Sequence, residues 1–236
     1  MIPRFRMFAG PNGSGKSSLY DYLRNRKIIH TEVYVSADRI EAELRTRKYF
    51  VFNAYRISTT EEEFFLHVIS SGLWNNKSIK QLNDWFQLKN GVLRVKSKGI
   101  NSYTASFIAS YLVDKLLLTK QSFCFETVMS HDSKISILKE AKKNGYQTYL
   151  YFVFTRDPEL NIQRVNLRVR LGGHNVSYAK INERYSRSIR LFPKALAISD
   201  RAYLIDNSLY FETIGEKKNG SFFWSKGKKS KLFPKL

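Results

Sequence analysis

Apolar and polar positions along this 236-residue chain alternate between short apolar runs and longer stretches with helical spacing. The runs Arg4–Ala9, Glu32–Val35, Gln121–Glu126, Gln147–Phe154 and Ala202–Ile205 predict buried strands. Residues Thr148 to Phe154 are almost wholly apolar and aromatic, as a central parallel strand covered on both faces should be. Helical spacing predicts helices at Lys16–Arg26, Asp38–Arg47, Tyr103–Leu118, Ser133–Asn144, Pro158–Leu171 and Tyr178–Ala197. The alternation predicts a doubly wound α/β domain with a parallel sheet of about five strands and flanking helices. Ligands in such sheets bind beyond the carboxyl ends of the strands, so polar residues there are site candidates.

The stretch from about 48 to 102 breaks this rhythm and reads as an inserted cap. It holds a short helix opened by Thr60-Glu61-Glu62-Glu63, a second near Ile79–Asp84, and a hairpin turning at Asn90-Gly91. Two helices and a hairpin also suggest a small winged DNA reader, a weaker alternative. The expected organisation is a domain over 1–210, with the insert and a lid at about 158–190, followed by a basic tail over 211–236.

One segment changes the picture from fold to chemistry. Gly10-Pro11-Asn12-Gly13-Ser14-Gly15-Lys16-Ser17 fits the phosphate-loop pattern Gly-x-x-x-x-Gly-Lys-Ser/Thr, between an apolar strand and a helix. Its glycines let backbone amides turn inward as an anion nest, and the helix N-terminus adds partial positive charge. Lys16 is placed to reach the β- and γ-phosphates. The Ser17 hydroxyl is expected to ligate Mg²⁺, and Ser18 is counted with the loop among the nucleotide-binding residues.

Asp38 follows the second predicted strand and has two readings. Asp38-x-x-Glu41 resembles a capping box, yet a carboxylate at that strand end can accept a proton from a hydroxyl attacking the γ-phosphate. Glu126 ends the apolar run Ser122 to Phe125, where a charge is costly unless it faces a cleft. It can bind substrate or steady the Mg²⁺ shell, while Ser130 and His131 line the same cleft or cap the next helix. Arg164 and Arg168 lie four apart on one helix face, and Gly172-Gly173 ends that helix beside His174. The next helix, capped by Ser177, carries Lys180, Arg184 and Arg187 on one side. Two arginine-faced helices around a diglycine suggest a lid that neutralises charge on a transferred phosphoryl group. Asp206-Asn207-Ser208 closes the last strand and reads as turn chemistry.

Composition adds limits. Forty basic against 20 acidic residues leave a net charge of +20, a field that attracts nucleic acid, acidic proteins or nucleotide phosphates. The lysine-rich stretch from Lys217 to Lys235 contains Phe222, Phe223 and Trp224. It reads as a solvated tail that packs its aromatics on the body, ahead of a stacking surface for nucleic acid. One cysteine, Cys124, excludes an internal disulfide and fits a buried thiol in a cytoplasmic protein. The loop's nearness to Met1 leaves no expected signal peptide, and no apolar run approaches membrane-spanning length.

Together these pieces resemble the zeta-toxin family of P-loop kinases, in its stand-alone bacterial zeta-like branch. The matching stretches are Ala9 to Ser17, Ser36-Ala37-Asp38-Arg39-Ile40, Phe125-Glu126-Thr127, Arg164 to His174, Arg184-Tyr185-Ser186-Arg187-Ser188 and Asp206-Asn207-Ser208. The resemblance implies ATP- or GTP-dependent phosphorylation of a hydroxyl on a UDP-activated amino sugar, by the toxin of a toxin–antitoxin pair. It implies Lys16 and Ser17 for phosphate and Mg²⁺, Asp38 as general base and substrate contact, Glu126 and Thr127 for substrate, and Arg164, Arg168 and Arg184 for phosphates. An acidic antitoxin would complement the charge. The family often has Glu-Gly-Thr at the substrate strand, whereas Thr127 here follows Glu126 directly, and the insert has no matched counterpart. A kinase of another metabolite stands second, and a nucleotide-gated nucleic-acid binder third.

Overall fold

The structure, a computed structural model, describes residues 2–30, 33–70, 79–173, 175–234 and 236. In chain order the elements are β1 (Arg4–Ala9), α1 (Lys16–Asn25), β2 (Tyr34–Val35), α2 (Ala37–Arg47), β3 (Tyr49–Val51), α3 (Glu61–Ser70), α4 (Ile79–Trp85), β4 (Phe86–Lys89) and β5 (Val92–Val95). They continue with α5 (Ser102–Thr119), β6 (Phe123–Thr127), α6 (Ser133–Lys143), β7 (Gln147–Phe154), α7 (Pro158–Arg170) and α8 (Tyr178–Ile198). The chain then ends in β8 (Arg201–Asp206), β9 (Glu212–Lys218) and β10 (Ser221–Trp224). Met1–Tyr34 with Lys120–Leu236 form one compact unit, and Val35–Thr119 form a second.

In the first unit the described strands are ordered β10-β9-β8-β7-β1-β6-β2. β1 pairs in parallel with both β6 and β7, and β7 pairs in parallel with β8. The predicted doubly wound α/β fold with a mainly parallel sheet is what the chain adopts. β1 and β7 read as apolar runs because both faces are covered. On one face Phe8, Cys124, Val153 and Ile205 pack with Leu19 and Tyr20 of α1. Elsewhere in the unit Phe152 and Phe154 of β7 meet Phe192 of α8 and Phe233, with the Phe152 and Phe192 ring centroids 4.6 Å apart.

The stretch 211–236, expected to be a solvated tail, is instead largely structured. β9 joins β8 antiparallel and β10 joins β9, extending the sheet beyond its parallel part. Asn219-Gly220 turns this hairpin with φ of 51° and 83°, as a two-residue hairpin turn requires. Lys217 is buried because its ammonium donates to the carbonyls of Leu196 and Ala197 at 2.8 and 3.0 Å. It thereby satisfies the last carbonyls of α8, while burial lowers its pKa.

The predicted insert falls inside the second unit, which adds α2 and α5. Its two helices and hairpin form as expected, and β3 adds an unpredicted third strand in the order β3-β5-β4. Phe50, Phe52, Phe64, Phe86 and Tyr111 form its aromatic centre. Asn90 and Gly91 have φ of 53° and 74°. A β-carbon on Gly91 would lie 2.8 Å from Asn53 Oδ1. Gly91→Ala is therefore expected to cost about 1–2 kcal/mol, read as a lowered urea midpoint.

Candidate active site

The register of β1 against β6 places Phe8 beside Glu126 and Ala9 beside Thr127. Glu126 therefore leaves its strand where the phosphate loop begins. The loop ends at Gly15, which caps α1 in a left-handed conformation (φ 97°). Lys16 is only 6% exposed, and its Nζ donates to the Pro11 carbonyl across the loop at 2.9 Å. Ser17 Oγ donates to Glu126 Oε2 at 2.8 Å, and the Tyr34 hydroxyl donates to the same oxygen. Lys16, Ser17 and Glu126 are thus brought together as the sequence suggested. Tyr34, held against Tyr20 and Phe8, is a partner the sequence did not announce. Ser18 is exposed on α1.

Thr127 is buried, and its Oγ1 accepts from the Met129 amide at 3.1 Å. That bond supports the left-handed turn at Met129 (φ 52°). Ser188 of α8 donates to the Val128 carbonyl at 2.8 Å, tying the same turn down. His131 Nδ1 accepts from the Ser133 amide at 3.1 Å, at the start of α6.

Asp38 lies in the second unit, in the first turn of α2, three residues beyond Val35. The capping-box reading fails here. The N-cap is Ser36, and Glu41 is buried against Arg45 at 2.6 Å. As an acidic residue in a first turn, Asp38 instead faces the helix dipole favourably.

The predicted lid consists of α7 and α8, packed through Ile162, Val165, Val176 and Ile181. Asp157 caps α7, accepting from the Glu159 amide at 2.9 Å. Arg164 is half-buried. One terminal nitrogen donates to the Ser208 carbonyl at 3.4 Å, while the other is buried with no hydrogen-bond partner among the described residues. Burial lowers its pKa. Arg168 and Arg184 are also half-buried, whereas Arg187 pairs with Glu183 of its own helix at 2.5 Å. His174 lies outside the described residues.

Two further residues bear on the loop, and a third steadies the strand end beside one of them. Asn161 Nδ2 donates to the Asn12 carbonyl at 2.5 Å, and Asn207 Nδ2 to that of Ser14 at 2.8 Å. Arg156 Nε donates to buried Asp206 at 2.6 Å. Asp206-Asn207-Ser208 is more than turn chemistry, for Asn207 reaches the loop while Ser208 closes the turn on Asp206. The only advance signal was position at a strand's carboxyl end.

A glycine loop between a central parallel strand and a helix, with a carboxylate on the adjacent strand, defines a P-loop kinase-like protein. The chain belongs to the zeta toxin family, whose model matches residues 91–215. Its fold is similar to that of a solved AvrRxo1-ORF1:AvrRxo1-ORF2 complex, with a TM-score of 0.60 and 12% identity over 96% of this chain and 62% of that one. A further structure of that complex was solved with ATP, at a TM-score of 0.59, 12% identity and coverage of 95% and 61%. A structure from the PezAT chromosomal toxin–antitoxin system of Streptococcus pneumoniae gives 0.50 and 14% identity over 97% of this chain and 81% of that one. An uncharacterized protein of Haemophilus influenzae is 33% identical over 63 residues, which cover 27% of this chain and 45% of that protein. The chain thus spans under two thirds of the length of the first of these relatives.

Proposed function

We propose that this protein is a Mg²⁺-dependent kinase that uses ATP or GTP to phosphorylate a hydroxyl of a UDP-activated amino sugar. The observation that carries the reading is the Ser17–Glu126 pair, 2.8 Å apart beside buried Lys16. Two hard oxygen donors suit Mg²⁺, which takes few protein ligands and completes its shell with phosphate and water. The buried Ser14 hydroxyl and the second Arg164 nitrogen have no hydrogen-bond partner among the described residues, and phosphate oxygens are the acceptors that would satisfy them.

Bound Mg²⁺ would neutralise developing phosphate charge. Lys16 would exchange the Pro11 carbonyl for phosphate, and Ser17 and Glu126 would orient the ion with Tyr34 holding Glu126. Asp38 would take the proton of the acceptor hydroxyl. Arg164, Arg168 and Arg184 would counter charge from the lid, while Glu126 and Thr127 border the acceptor side. Relatives solved within toxin–antitoxin systems support an antitoxin partner, for which an acidic protein fits the +20 charge. We also propose a cytoplasmic location, which the single cysteine fits; among the described residues no helix is long and apolar enough to cross a membrane.

The test is acceptor choice. Purified protein with Mg²⁺ and ATP or GTP is incubated with UDP-N-acetylglucosamine, other UDP-sugars, free sugars and nucleosides, and products are weighed by mass spectrometry. We expect phosphorylation of the UDP-amino sugar above all others. Transfer to another alcohol alone would favour a different metabolite kinase. That second reading draws on residues 48–90, which lie outside the family match.

A further inference from the structure

Two asparagines outside the phosphate-loop motif grip the loop, and we infer that Asn161 and Asn207 are positioning residues that pre-set it for phosphate. The inference deepens the kinase reading and rests on it. Asn161 takes the Asn12 carbonyl at 2.5 Å and Asn207 the Ser14 carbonyl at 2.8 Å. A trans peptide points its C=O and the next N–H in opposite directions. With the Asn12 and Ser14 carbonyls turned to the asparagines, the amides of Gly13 and Gly15 point away from them. Each bond fixes the plane of one loop peptide, so the Gly13 and Gly15 amides are held in set directions, as the converging backbone N–H groups of an anion nest must be.

Packing reinforces the hydrogen bonds. A β-carbon on Gly13 would lie 2.5 Å from the Asn161 carbonyl oxygen, and one on Gly15 would lie 2.4 Å from Asn207 Nδ2. The asparagines occupy the space those glycines leave free, so the loop peptides have little room to rotate. Both grips are themselves anchored. Asn161 is fully buried, and its Oδ1 accepts from Thr155. The Asn207 amide donates to the Phe154 carbonyl at 2.8 Å, fixing it to the end of β7. Asn161 also lies three residues before Arg164 on α7, so one helix carries both the grip and a lid arginine.

Asn207→Ala and Asn161→Ala are compared with wild type by calorimetry, using magnesium ATP and magnesium pyrophosphate, and by melting without ligand. Loss of one such bond should weaken both affinities about tenfold, with little change in the unliganded melting midpoint of Asn207→Ala. Should buried Asn161→Ala fail to fold, the half-buried Asn207 position carries the test alone. Wild-type affinity for pyrophosphate in Asn207→Ala overturns the inference. So does a loss explained wholly by a smaller folded fraction. A wild-type chain that takes up neither ligand sinks the kinase reading itself, whereas uptake by wild type and variant alike sinks only the positioning role.

Discussion

Lys16→Ala is expected to lower phosphoryl transfer by about a thousandfold and to weaken magnesium ATP binding. The ammonium is held ready inside the loop, only 6% exposed and bonded to the Pro11 carbonyl at 2.9 Å. A triphosphate offers charged acceptors that a neutral carbonyl cannot match, so the lysine transfers to it without searching rotamers. Alanine removes both the point charge and this preorganisation. The fold should survive, because the strand and helix flanking the loop pack through Phe8, Leu19 and Tyr20 and not through Lys16. Steady-state kinetics together with calorimetry would check this. Turnover near wild type would remove the loop from the chemistry.

Asp38→Asn should separate chemistry from structure. If the carboxylate accepts the acceptor's proton, its amide isostere cannot, and kcat should fall about 10²–10⁴-fold with nucleotide affinity unchanged. The helix role of Asp38 is small by comparison. Ser36 is the N-cap of α2, so the substitution forfeits only a first-turn charge, about 0.3–1 kcal/mol. A melting curve close to wild type beside a collapsed kcat would support the base. Retained turnover would move that role elsewhere, with Glu126 the next candidate. Glu126 is poorly placed for it, since its Oε2 already accepts from both Ser17 and Tyr34.

Most elements were legible because their causes are local. The apolar run of β7, the amphipathic face of α8 with Ile181, Tyr185 and Phe192 buried, and the Asn90-Gly91 turn each write their conformation into adjacent residues. The C-terminal strands were not. Glu212 to Lys218 is half charged, and nothing local says that β8 offers it an edge or that α8 offers Lys217 two carbonyls. The capping pattern at Asp38 was not decisive for a related reason, since the helix is capped earlier, at Ser36.

What the sequence determined by itself was the contiguous phosphate loop, the strands and helices of the parallel core, and the family kinship they carry, since dihedral preference and periodicity act between near neighbours. Tertiary structure alone decided which distant groups meet. Ser17 and Glu126 are 109 residues apart, Tyr34 and Glu126 are 92 apart, and Ser14 and Asn207 are 193 apart. Such contacts exist only once parallel pairing has aligned the strand ends, because hydrogen bonds need their partners within about 3 Å and no pattern along the chain encodes that distance.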